Sequence, residues 1–136
     1  MLQSLAAVTV LVPSYEDGLA FFRDTLGFEV LEDTPLSPTK RWVVVAPSLG
    51  AGAALVLAVP TDERQRTRVG DQTGGRVGFF LHSRDFWADY EKLRKHGVTF
   101  LEAPRREAYG VVAVFVDPWG GKWDLLQPAS GALETP

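Results

Sequence analysis

The chain has 136 residues, a single-domain length with room for a substantial core. Its 46% hydrophobic and 23% charged content is that of an ordinary globular protein, and a net charge of −3 gives no electrostatic draw toward nucleic acid or an anionic membrane. With no cysteine, disulfides, Cys-based zinc sites and thiol catalysis are excluded. No apolar run approaches the ~20 residues of a membrane helix. The segment Met1 to Ala7 carries no basic residue ahead of its apolar ones, so no signal peptide is expected and the cytoplasm is the expected location.

Val8 to Val12 reads as a short apolar strand. Ser14 is placed to cap a helix, with Asp17 three residues on in a capping-box position. Tyr15, Leu19, Phe22 and Leu26 follow at helical spacing, and Gly27 stands where a helix ends in a left-handed residue. Phe28 to Leu31 is a second strand. A polar turn with Pro35 and Pro38 leads to a third at Arg41 to Ala46, and after a turn at Ser48 to Gly52 a fourth runs from Ala54 to Val59. The segment 61–75, rich in Arg, Asp, Thr and Gly, reads as a linker, and its alternating Arg64, Arg66 and Arg68 as a solvated face.

The same order then returns. Val77 to Leu81 is a strand, Ser83 or Asp85 caps a helix carrying Phe86, Tyr90 and Leu93, and Gly97 ends it. Strands follow at Val98 to Leu101, Val111 to Val116 and Lys122 to Leu126. From the helix ends onward the halves align without gaps at an offset of 70: Gly27 on Gly97, Glu32 on Glu102, Val44 on Val114, Gly50 on Gly120, Leu55 on Leu125. The reading is an internal duplication, module 5–60 and module 76–127, with a frayed tail from Pro128 to Pro136. A unit of four strands and one helix covers one face of its sheet. Two such units in one chain lead to the expectation of paired sheets around a ligand cleft.

The last hairpin, Asp117 to Leu126, carries Pro118 and Gly120-Gly121 in its turn. In its returning strand Trp123 and Leu125 point one way, while Lys122, Asp124 and Leu126 point the other. Asp124 is therefore a carboxylate opposite two core residues.

Together Val8-Thr9-Val10-Leu11-Val12, Leu19-Ala20-Phe21-Phe22, Leu26-Gly27-Phe28-Glu29-Val30, Gly97 to Pro104 and Asp117 to Leu125 resemble the vicinal oxygen chelate superfamily. This is the group of glyoxalase I, bleomycin-resistance proteins and extradiol dioxygenases. The resemblance spans nearly the whole chain, from Leu5 to Gln127. It implies an α+β fold of two tandem βαβββ modules with curved mixed sheets, forming a single glyoxalase-like domain over 1–136, and a homodimer. It leaves the chemistry open, since one fold hosts many functions.

In metal-dependent members, the resemblance implies, a divalent ion is held by His, Gln or Glu at the start of the first strand and on the last strand of each module. Carried over, these positions fall on Ala7, Ala54 and Gly78 (or Val77 one residue back), none a donor, and on Asp124. One carboxylate does not make a centre that needs three or four ligands, so no metal or other cofactor is expected and a divalent ion is disfavoured. The alternation places His82 on the same side as Asp124, a pair able to do acid–base work, with a half-exposed strand-end role for His82 as the plainer reading. His96 suits a helix C-terminus. Phe80 is a candidate to line a ligand site, Trp42 is either a cleft residue or core, and Tyr109 follows a charged segment, Arg105 to Glu107, that is either a loop over the cleft or a plain turn. Trp123 is assigned to the core and Trp119 to a hairpin tip.

Three functions compete: a metal-free small-molecule-binding protein of the bleomycin-resistance kind, a metal-dependent lyase or dioxygenase with a non-standard site, and a metal-free acid–base enzyme using Asp124 and His82. The missing ligands favour the first, in which Asp124, His82, Phe80, Trp42 and Tyr109 contact a small organic molecule.

Overall fold

The computed structural model describes residues 1–47 and 52–130, in two units that divide between Val69 and Gly70. The expected turn at Ser48 to Gly52, the pairing of Gly50 with Gly120, and the tail beyond residue 130 fall wholly or partly outside the described residues.

In the first unit β1 (Ala7–Leu11) leads into α1 (Tyr15–Leu19), then β2 (Glu29–Pro35), β3 (Arg41–Ala46), β4 (Ala54–Ala58) and a short α2 (Glu63–Arg66). The sheet runs β1-β4-β3-β2, with β1 parallel to β4 and the other pairs antiparallel. Ser14 caps α1 by accepting a hydrogen bond from the Asp17 amide at 3.0 Å. Gly18 lets the helix lie close on the sheet: a Cβ there would sit 3.0 Å from Leu57 Cδ1 and 3.2 Å from the Val12 methyls.

The helix does not continue on the regular period its sequence suggests. Ala20–Thr25 is a π-helical turn, in which the Leu26 amide donates to Phe21 five residues back. The wider turn buries Phe21 and Phe22 together, and leaves Leu26, expected in the core, half-exposed. Gly27, at φ +78°, then reverses the chain. β2 also runs beyond its expected end, to Pro35. Asp33 on it is held by Arg41 at 2.6 Å, and Arg41 reaches Glu16 at 2.8 Å. Asp62 caps α2 through the Gln65 amide, so the expected linker contains a helical turn.

The second unit holds β5 (Val77–His82), α3 (Phe86–Lys95), β6 (Thr99–Phe100), β7 (Arg105–Glu107), β8 (Gly110–Val116) and β9 (Lys122–Pro128). Its order, β5-β9-β8-β6, repeats that of the first, with β7 added on β8. Asp85 is the N-cap of α3, accepting from the Ala88 amide, and the Gln127 side chain takes the Phe86 amide at 2.8 Å. Gly97, at φ +85°, ends this helix as Gly27 ends the first. The core is aromatic: Trp123 is 1% exposed, with Phe79 stacked on it at 4.2 Å and Phe115 at 5.8 Å. The charged segment Arg105 to Glu107, expected as a loop or turn, is a strand. Gln127 and Pro128 belong to β9, and Ala129 still donates to the Tyr109 carbonyl.

Strand pairing corrects the gapless alignment. Glu29 pairs with Ala46 and Thr99 with Val116, so the offset of 70 holds through β3 and β8. In the last strands Val44 pairs with Val56, but Val114 pairs with Asp124. The counterpart of Asp124 is therefore Val56, not Ala54, and Ala54 corresponds to Lys122. The cause is loop length, since the β3–β4 connection is two residues longer than the one between β8 and β9. In the first strands Leu11 pairs with Ala58 and His82 with Leu126. Between Val77 and Phe79 the register shifts, leaving Gly78 as the extra residue of a β-bulge. The place of Ala7 in the second unit is thus held by the bulge Val77-Gly78.

Candidate functional site on the second sheet

The β8–β9 hairpin is closed by a side chain. Asp117, 5% exposed, accepts through Oδ1 from the Trp119 amide at 3.1 Å and the Gly121 amide at 2.8 Å, and through Oδ2 from the Trp123 indole at 3.0 Å. A Cβ on Gly121 would fall 2.4 Å from that carboxylate. Gly70, at φ +73°, packs against the same hairpin, where a Cβ would lie 1.8 Å from the Trp119 carbonyl oxygen. These contacts fix the start of β9 and hence the direction of Asp124.

Asp124 lies on the face of the sheet turned away from Trp123 and α3. Its Cα partners are Phe80 on β5 and Val114 on β8. Phe80 is 63% exposed although Phe79 beside it is half-buried and stacked on Trp123, a direct result of strand alternation after the bulge. Oδ1 of Asp124 is buried and accepts no hydrogen bond from the described residues. Burial pushes the carboxyl above the usual carboxylate range, the Arg105 guanidinium opposes the rise, and the Glu102 charge adds to it.

Arg105 is committed elsewhere. Its Nε donates to both Glu102 oxygens at 3.1 and 3.2 Å, and Nη1 to Glu107 at 3.1 Å and to the Tyr109 hydroxyl at 3.2 Å. These bonds hold the guanidinium firmly protonated. Glu102 also accepts from the Val114 amide at 3.0 Å, tying the bend between β6 and β7 to the strand beside Asp124. The offset of 70 matches Glu32 with Glu102 at strand ends, which argues for a shared structural role. They have different ones, for Glu32 takes the Trp42 indole N–H.

The remaining candidates divide. His82 is exposed at the end of β5, partnered with Leu126, and is not hydrogen-bonded to Asp124. Tyr109 stands 40% exposed between β7 and β8 within the Arg105 network. Trp42, 41% exposed, belongs to the first unit's sheet and is not a core residue. His96 closes α3 as expected, with Nδ1 2.7 Å from the Lys92 carbonyl. The Arg105 network was not singled out from sequence, although the spacing of Glu102, Arg105 and Glu107 is the signal that marks it.

The donor set does not fit a transition-metal centre. Ala7, Val56 and the Val77-Gly78 bulge offer no ligating side chain, and among the described residues no three His, Asp or Glu side chains come together. Among the described residues no helix is long and apolar enough to cross a membrane.

Residues 4–125 match the model of the Glyoxalase/Bleomycin resistance protein/Dioxygenase superfamily. An uncharacterized protein of Shewanella frigidimarina is 41% identical over 93% of this chain and 95% of its own length. Among solved structures, UcmS2 is 33% identical with a TM-score of 0.79, covering 93% of this chain and 98% of that one. TnmS3, an antibiotic binding protein from Streptomyces sp. CB03234, is 30% identical with a TM-score of 0.75, covering 94% of this chain and 98% of that one. With a duplicated strand order, a family match over most of its length and relatives of this identity, the chain belongs to the Glyoxalase/Bleomycin resistance protein/Dioxygenase superfamily.

Proposed function

We propose that this protein binds a small organic molecule, of the kind an antibiotic-binding relative takes, directly on protein groups and without a metal ion. The observation that carries this reading is the far face of the second sheet. There a half-buried carboxylate, Asp124, with its Oδ1 buried and unpartnered among the described residues, stands beside an exposed aromatic ring, Phe80, where a metal centre would need further ligands. The likeness to TnmS3 supports the class of ligand. Asp124 and Phe80 are the central contacts in this proposal. His82 and Tyr109 are neighbours on the same unit, while Trp42 stands exposed on the first unit's own sheet. A homodimer in the cytoplasm is part of the same proposal.

Metal analysis of protein purified without chelator, combined with a thermal-shift screen of antibiotics, tests it. The expected result is less than a tenth of an equivalent of transition metal and a concentration-dependent rise in Tm with at least one compound. A stoichiometric metal whose removal abolishes ligand stabilisation would overturn the reading. Light scattering across a dilution series checks the dimer.

A further inference from the structure

Resting on the binding function proposed above, we propose that the ligand presents a hydrogen-bond donor, a hydroxyl or amine carried on a planar aromatic ring, to Asp124, with the ring lying against Phe80. A carboxylate offers only acceptor sites when ionised, so its unmet need specifies a donor. Among the described residues none supplies one to Oδ1 of Asp124. The nearby guanidinium of Arg105 is bound by Glu102, Glu107 and Tyr109. On either side along the sheet, the partners Phe80 and Val114 have no side-chain donor.

The hairpin itself provides the contrast. Asp117, seven residues earlier, is buried whole where Asp124 buries only Oδ1, and three N–H groups of the same hairpin satisfy it. Donors are thus available in this part of the fold and are directed at one aspartate and not at the other. Burying a polar group without a partner is costly, and a ligand that brings the missing donor recovers that cost on binding. The aromatic part follows from the β-bulge. With Gly78 as the extra residue, the half-buried Phe79 stacks on Trp123 while Phe80 is turned to Asp124's face and left 63% exposed. A ring against it and a donor beside the ring match the two features together.

Three probes of one shape separate the terms: 2-naphthol, 2-naphthylmethylamine and 2-methoxynaphthalene, titrated into the full chain and followed by backbone amide shifts in β5 and β9. The expected result is that 2-naphthol or the amine binds at least tenfold more tightly than the methyl ether. That gap closes in Asp124→Leu, whereas Phe80→Ala weakens all three alike. If Asp124→Leu does not fold, Phe80→Ala and the wild-type gap still decide the matter. Equal affinity of ether and donors in the wild type would overturn the donor while leaving small-molecule binding intact. So would a gap that persists in Asp124→Leu. Failure of all three to shift any resonance at millimolar concentration would overturn both.

Discussion

Where Val44 meets the last strand of the first unit, its partner is Val56. Where Val114 meets the last strand of the second, its partner is Asp124. The two sheets share one strand order, the same left-handed glycine after the helix and side-chain caps at corresponding places, Ser14 and Asp85. They differ in what stands on the faces turned away from the helices. At the equivalent positions the first offers Thr9, Leu11, Ala54 and Val56. The second has Phe80, His82, Lys122 and Asp124. The difference teaches that backbone pairing and the helix-side core carry the fold, while the far face is free to change its chemistry.

Trp123 stands where the first unit has Leu55, and its removal should have the largest effect. Trp123→Ala is expected to cost about 3–5 kcal/mol in urea unfolding, because the ring is buried between Phe79 and Phe115. Trp123→Leu, which imposes the first unit's residue, should recover part of that loss. Asp117→Ala comes next, at about 3 kcal/mol, since it strands two amides and a buried indole N–H. Asp117→Asn should retain less than half the loss; a variant with wild-type stability would mean that the clamp is not what closes the hairpin.

The caps test the feature that the units have in common. Ser14→Ala and Asp85→Ala are each expected to cost about 1 kcal/mol, and a large difference between them would show that the two helices are not equally dependent on their ends.

Asp124→Asn should have the smallest effect, and the opposite sign. The folded state binds the Asp124 proton more tightly than the unfolded chain does. The carboxyl therefore favours folding below its ordinary value of 3.8, and that contribution is lost as pH rises through the raised folded value. At pH 7 the variant should be slightly more stable, by less than about 1 kcal/mol, because it removes the charge and solvent screens this half-exposed group. The gain should vanish in acid. Melting curves from pH 3 to pH 8 check it, and a gain that is constant with pH would count against burial as the cause.

Much of the architecture was legible because it rests on local signals. Apolar runs marked β3 and β8, and alternation β1, β5 and β9. Gly27 and Gly97 marked the helix ends, and Ser14 the first cap. What escaped depends on contacts distant in sequence. The equivalence of Asp124 with Val56 follows from a hairpin two residues shorter, and a gapless alignment cannot carry that. The π-helical turn follows from burying adjacent Phe21 and Phe22, where the pattern at Leu19, Phe22 and Leu26 suggests a regular helix. β7 was hidden by three charged residues in a row, whose strand pairing with Val111 and Val112 is a property of the partner. Asp124 was found by its place in the motif. Its missing donor is visible only once Arg105 is seen to be bound by Glu102, Glu107 and Tyr109.

The glycine at position 70 has a consequence for how this hairpin can change. Its backbone occupies the space next to the Trp119 carbonyl, and Asp117 fills the loop from within, so residues 117–121 are gripped on both sides. In a library of random single-residue insertions, this segment should be emptied of survivors while the neighbouring turn at Ala108-Tyr109 still accepts additions. Evolution of new ligand preference would then proceed by replacing side chains on β5 and β9, not by lengthening the loop between β8 and β9.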